Sequence, residues 1–298
     1  MIYSGLRYKI DLLPTNPFPQ GKHELVRETL VHRGVIREDA VMDPTLPTDD
    51  VITQTHSAAY WQRVKNLELS AQEQRKLGLP LSHKTVQRAL ASAGSTLMAT
   101  QHALRHGLGI NLGGGTHHAF YDRAEGYCLL NDVALSANQL LSQQVIRRAL
   151  VVDLDVHQGN GTAALFAQDA RVFTFSMHCA VNYPLHKEHS NLDIELPPHT
   201  GDEAYLELLA QTLPSLLARH KPDVVYYIAG ADVLATDRIG KLALTLQGMG
   251  HRDTFVYEQV AQFGAPLVLT LGGGYPRQMQ DVVDAHAQTI TLALEHFS

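Results

Sequence analysis

Short apolar runs alternate along this chain with longer segments whose apolar residues recur every three or four positions, and that alternation predicts the architecture. Leu108 to Leu112, Val151 to His157, Asp223 to Gly230 and Pro266 to Leu271 have strand length, are rich in aliphatic residues, and each leads into or ends on a glycine-bearing loop. Val86 to His106 places Val86, Ala89, Leu90, Ala93, Leu97 and Leu104 at near-helical spacing, and Asn131 to Arg148 continues with Val133, Leu135, Leu140 and Leu141. Further helices are predicted over 202–220, where Thr200-Gly201-Asp202 supplies a start signal, over 248–264 and over 277–297. Strands alternating with helices imply an α/β fold, a mostly parallel sheet with helices on both faces and a site along its carboxyl edge.

Polar residues break the second run in a regular way. Asp153, Asp155 and His157 occupy alternate positions of what otherwise reads as a buried β-branched strand, and in an extended strand such positions share one face. Two carboxylates desolvated together repel each other unless a cation or hydrogen-bond donors compensate, and a metal is the simplest compensation. The plainer reading is a strand leaving the core with its acids in water and His157 as a cap. Repetition argues against it: Gly113-Gly114-Gly115-Thr116-His117-His118 follows the first run, Ala231-Asp232 the third, and Gly272-Gly273-Gly274-Tyr275 the fourth.

Several other chemistries are excluded by what the loops lack. A phosphate cradle would show G-x-x-x-x-G-K-[ST] or G-x-G-x-x-G after a strand, and neither occurs. There is no G-x-S-x-G elbow and no H-E-x-x-H helix, and Cys128 and Cys179 lie in no reactive-thiol motif. The cluster His186-Lys187-Glu188-His189 follows Pro184 in a polar stretch that runs to Pro197-Pro198, which reads as a solvated loop.

At 298 residues with 45% hydrophobic content the chain can bury a large core. No linker or charge block divides it, so residues 1–298 are expected to form one catalytic domain. A net charge of -6 offers no general basic surface for nucleic acid. The start, Met1 to Lys9, lacks the apolar core of a signal peptide, no run has the length and apolarity of a membrane span, and two cysteines make no disulfide framework; a cytoplasmic protein is expected.

Taken in order, Gly113-Gly114-Gly115-Thr116-His117-His118-Ala119, Gly126-Tyr127-Cys128-Leu129-Leu130-Asn131-Asp132, Asp153-Leu154-Asp155-Val156-His157-Gln158-Gly159-Asn160-Gly161, Ala229-Gly230-Ala231-Asp232 and Gly272-Gly273-Gly274-Tyr275 resemble the histone deacetylase superfamily. The likeness runs from Thr55-His56-Ser57 to Tyr275, and Asp122-Arg123 with Asp237-Arg238-Ile239-Gly240 is most similar to the class IV branch and its bacterial relatives.

The resemblance implies a single arginase/deacetylase-like domain and a metal held by Asp155, His157 and Asp232. Two carboxylates and one imidazole leave room for water and a substrate carbonyl, a set that suits Zn²⁺ and tolerates Fe²⁺. It further implies His118 as the general base that later protonates the departing amine, His117 as its electrostatic partner, Asp153 paired with His117, and Asn160 paired with His118, where some branches carry Asp. Tyr275 corresponds to the phenol that donates to the oxyanion, and a structural K⁺ is expected at Asp153, Asp155, His157, Ser176 and Met177. Gly126 and Tyr127 occupy the channel's glycine-Phe position, and Ile239 stands where polyamine-selective relatives carry an acid.

The expected activity is removal of acetyl or related acyl groups from acyl-lysine in a peptide or protein, with no direct contact to nucleic acid or membrane. Rival readings are a deacetylase of acetylated polyamines or other small amides, an arginase-type ureohydrolase, for which second-metal carboxylates are missing at Val156 and Asn160, and a noncatalytic binding scaffold.

Overall fold

Strand residues of even and odd number meet different helices, and this sorting fixes the layers. The computed structural model describes residues 1–5, 9–13 and 15–297. Its strands are β1 (Ile2–Tyr3), β2 (Val41–Met42), β3 (Leu108–Asn111), β4 (Ala149–Asp153), β5 (Val172–Cys179), β6 (Leu192–Leu196), β7 (Val224–Ile228) and β8 (Leu267–Thr270). They form one 8-stranded sheet in the order β2-β1-β3-β8-β7-β4-β5-β6, every neighbouring pair parallel. The helices are α1 (Lys22–His32), α2 (Asp49–Thr53), α3 (Ala58–Lys65), α4 (Ala71–Leu77), α5 (His83–His106), α6 (Asp132–Ser142), α7 (Asn160–Phe166), α8 (Asp202–His220), α9 (Leu246–Phe263) and α10 (Met279–His296).

On one face Leu150, Val152, Val225, Tyr227, Leu267 and Leu269 pack with side chains of α1, α8, α9 and α10. On the other, Val151, Val224, Tyr226, Ile228 and Val268 meet α5, α6 and Phe166 of α7. Burying one such side chain contributes roughly 1.5–3 kcal/mol, so a one-residue slip of any strand would exchange its two sets of partners, and the register is strongly specified. A third cluster, with Tyr60, Trp61 and Val64 of α3, Leu77 of α4 and Val86 of α5, lies beside the sheet.

The four strands singled out in the sequence, β3, β8, β7 and β4, are consecutive in the sheet. Their carboxyl ends therefore open side by side. No helix among the described residues is long and apolar enough to cross a membrane.

Most boundaries shift from the sequence reading by three residues or fewer, and two shift further. The strand begun at Val151 stops at Asp153, because carboxylates take over the backbone amides: Asp155 N donates to Asp153 Oδ1 (3.2 Å) and His157 N to Asp155 Oδ1 (2.9 Å). Asp155 and His157 thus converge in a bend held by side chains rather than along a strand face. The helix expected over Asn131 to Arg148 ends at Ser142, where Gln144 takes φ 58° and Val145 N turns back to Leu140 O, a left-handed C-terminal stop. At its other end Asn131 caps the helix, its side chain accepting from Ala134 N at 3.0 Å. The expected 202–220 helix matches α8 (Asp202–His220).

Candidate active site

The bend after β4 and the loop after β7 meet at a buried acidic cluster. Asp155, His157 and Asp232 each offer a ligand atom, and these atoms lie within 4.8 Å of one another. His157 Nδ1 is 3.0 Å from Asp155 Oδ1 and 3.3 Å from Asp232 Oδ2. Asp232 Oδ1 accepts from Val156 N (3.0 Å), and Asp155 Oδ2 from Gly273 N (2.7 Å), so both carboxylates are held by backbone. Asp232 Oδ2, in contrast, is buried without a hydrogen bond.

Burial together with the neighbouring Asp155 carboxylate raises Asp232 to about 6. Burial alone would lower the His157 imidazole, yet its contacts with Asp155 and Asp232 lift it to about 10. An orphaned carboxylate oxygen in a dry site costs free energy, and two carboxylates and an imidazole around it are the donors a divalent cation requires. These residues fit a metal.

Tandem histidines lie against this cluster. His117 Nδ1 is 2.7 Å from Asp153 Oδ2, and His118 Nδ1 is 2.7 Å from Asn160 Oδ1. The two rings sit 4.1 Å apart, and His118 faces His157 at 5.9 Å. Their electrostatics diverge. Burial would lower His117, but Asp153 and Asp155 outweigh it and raise the imidazole to about 9. His118 has only an amide partner, and burial with His117 and His157 close by holds it well below the usual imidazole range. One ring is thereby disposed to carry a charge and its neighbour to stay neutral.

Tyr275 is presented by the loop after β8. Its backbone N donates to Asp237 Oδ2 (2.6 Å) and its carbonyl accepts from Arg238 N (3.0 Å), while the ring lies 6.3 Å from that of His157. Burial, with Asp232 and Asp155 near, pushes the phenol well above its ordinary range, so it keeps its proton. A cavity of about 130 Å³ is lined by His117, His118, Asp155, His157, Tyr275 and the channel pair Gly126 and Tyr127. Ile239 lies outside that lining, half-buried, with its carbonyl accepting from Asn182 Nδ2 at 2.9 Å.

Four supporting residues had no role in the sequence reading. Asp132 receives Gly115 N (3.1 Å), Thr116 N (2.8 Å) and the Thr116 and Thr96 hydroxyls, pinning the loop that carries the histidines. Asp237 likewise holds Ile239 N (2.7 Å), Gly240 N (2.8 Å) and Tyr275 N. Both acids stand inside the motifs that carry the resemblance, Asp132 at the end of Gly126 to Asp132 and Asp237 at the start of Asp237 to Gly240, and that was the available signal. Buried Lys22 donates to Gly272 O at 2.9 Å, and fully buried Arg252 reaches Gly230 O (2.8 Å) and Leu154 O (3.2 Å); no local pattern marks either.

Comparisons agree with this geometry. Residues 16–290 match the histone deacetylase domain. An uncharacterized protein of Picosynechococcus sp. is 42% identical over 91% of this chain and 90% of its own length. Histone deacetylase 2 of Arabidopsis thaliana is 28% identical, covering 90% of this chain and 72% of the relative. The acetoin utilization protein AcuC of Staphylococcus xylosus is also 28% identical, over 87% and 73%. The crystal structure of the HDA15 HD domain superposes with a TM-score of 0.82, at 20% identity, over 99% of this chain and 91% of that one, which establishes the shared fold. With its fold and nearly its full length matched, the chain belongs to the histone deacetylase domain family, and its chemistry is hydrolysis of the deacetylase kind.

Proposed function

We propose that this protein is a zinc-dependent amidohydrolase that removes acetyl or related acyl groups from acyl-lysine. The observation that carries this reading is a cavity lined by Asp155, His157, His118 and Tyr275, with Asp232 buried beside Asp155 and His157 as the third member of their cluster. Asp155, His157 and Asp232 would hold the ion, for which Zn²⁺ suits the donors and Fe²⁺ is tolerated. Bound there, it supplies Lewis acidity and makes water more acidic.

The chain's own residues do the rest. His118 Nε2 takes the proton of the attacking water and later returns it to the leaving amine; its depressed basicity keeps it neutral and ready. His117, paired with Asp153, carries positive charge beside the developing oxyanion. Tyr275 donates its phenolic hydrogen to the same oxygen. Gly126 and Tyr127 form the walls through which the acyl-lysine enters. A structural K⁺ is proposed with it, held by Asp153, Asp155, His157, Ser176 and Met177; the pairing of Asp153 with Ser176 across β4 and β5 supports that reading.

Residues 1–298 act as one catalytic unit in this reading, and a cytoplasmic location is proposed with it. The acyl-lysine substrate is favoured over an acetylated polyamine because the loop position of Ile239 offers no acid to a second ammonium group. The test is a panel of acyl substrates with metal-reconstituted protein, comparing an acetyl-lysine peptide with acetylspermidine. Preferential turnover of the peptide supports the reading, preferential turnover of acetylspermidine replaces it with the small-amide one, and no turnover of either leaves a scaffold. Asp155→Ala should lose bound metal; full occupancy in that variant would refute the ligand assignment.

A further inference from the structure

Glu125 stands behind the partner of the base. Asn160 presents Oδ1 to His118 Nδ1 at 2.7 Å, and its Nδ2 faces Glu125 Oε2 at 3.4 Å. The two ends of an amide have nearly the same shape, so their neighbours decide its orientation. An ionised carboxylate only accepts. The NH₂ of Asn160 must therefore face Glu125, its oxygen must face His118, and His118 must carry its hydrogen on Nδ1, with Nε2 left as the proton acceptor.

Glu125 is itself well fixed. Its Oε1 accepts from Arg123 Nε at 3.0 Å and lies 3.9 Å from Lys76 Nζ. Its Oε2 accepts from the Tyr183 hydroxyl at 2.8 Å, and the Tyr183 ring stands edge-on to His118 at 5.0 Å. The turn behind it is clamped by Gly126 N to Lys76 O (3.1 Å) and Tyr127 N to Leu77 O (2.8 Å). That turn also presses on the base, since a Cβ at Gly126 would lie 2.4 Å from His118 Cδ2.

We infer that Glu125 is a positioning residue that sets the tautomer of His118 through the amide of Asn160. The inference rests on the proposed role of His118 as base, and it makes a demand of its own: a second carboxylate cannot be added at position 160 while Glu125 keeps its charge, because the two would be about as close as Asn160 Nδ2 and Glu125 Oε2 are now.

The experiment has an arm without turnover. Nitrogen-15 spectra of histidine-labelled, metal-loaded protein should show His118 protonated at Nδ1 in the wild type and a shift toward the Nε2–H tautomer in Glu125→Ala. An unchanged tautomer in a folded Glu125→Ala variant overturns the inference, whatever substrate the enzyme uses. In the kinetic arm, Glu125→Ala should lower kcat by about ten- to a hundredfold with KM little changed, the usual weight of a partner that orients a site residue. Asn160→Asp alone should also be impaired, whereas Asn160→Asp combined with Glu125→Gln should recover toward wild type because one carboxylate again serves the imidazole. Losses that simply multiply in the double variant would overturn the proposal. A wild-type protein inert toward every acyl substrate would sink the deacetylase reading and leave the tautomer measurement to judge Glu125.

Discussion

Gly273 lies so close to Asp232 that a Cβ in its place would sit 1.9 Å from Asp232 Oδ2 and 2.8 Å from Asp155 Oδ2. The backbone of this loop is thus part of the wall around both acidic ligand candidates, and its amide donates to one of them. Gly273→Ala should weaken zinc binding by at least about tenfold, the scale seen when the surroundings of a metal ligand are disturbed. Competition with a chelating dye would measure it. Wild-type affinity in the variant would mean that Asp232 Oδ2 takes no part in holding the ion.

Tyr275 acts, in the proposed mechanism, mainly in the transition state. Tyr275→Phe keeps the ring and its packing near Tyr127 and His157, so fold, metal content and KM should persist while kcat falls by about a hundredfold or more. Steady-state kinetics on an acetyl-lysine peptide decides the matter, and an unchanged kcat would reduce Tyr275 to a wall of the channel.

Arg252 ties together the loops that carry Asp155 and Asp232, through Leu154 O and Gly230 O, and pairs with the equally buried Asp253. Asp253 also receives the hydroxyls of Tyr227 and Thr289. Arg252→Met leaves that carboxylate buried without its cation and should cost about 3–5 kcal/mol in chemical denaturation. A loss within about 1 kcal/mol would show that the pair is dispensable to the fold.

His56 makes stability depend on pH in a definable window. Its ring is buried, with Nδ1 2.7 Å from Phe120 O and Nε2 accepting from Asn131 N at 3.0 Å, so only the neutral ring satisfies both partners. Burial lowers it from 6.5 to about 4. Between those values the unfolded chain binds a proton that the folded one refuses, so stability is full above pH 6.5 and is lost as pH falls toward 4, by about 3 kcal/mol in all. Urea titrations of wild type and His56→Gln across this range should show a shallower slope in the variant. Parallel slopes would discard the assignment.

Some of this protein is written locally. The 202–220 helix was legible because its apolar spacing and its start signal lie within the segment itself, and Gly113 to His118 and Gly272 to Tyr275 announced a site because glycines and reactive side chains sit directly after strand-like runs. Local patterning also brought Asp153, Asp155 and His157 together, although the bend that joins them arises from carboxylates capping backbone amides, which no hydrophobic period encodes. Other relationships depend on strand order. Asp232 was marked locally as an acid after a strand-like run, but its place in the ligand set came only through resemblance, and it reaches Asp155 because β7 lies beside β4, with Val152 opposite Tyr227. Lys22 meets Gly272 across 250 positions, and Glu125 meets Asn160 across 35. Periodicity reports which face of an element is buried, but not which distant element covers it. That choice is made when the sheet is assembled, and the sheet's order therefore decided the completed acidic cluster, the support beneath it and the contacts around His118.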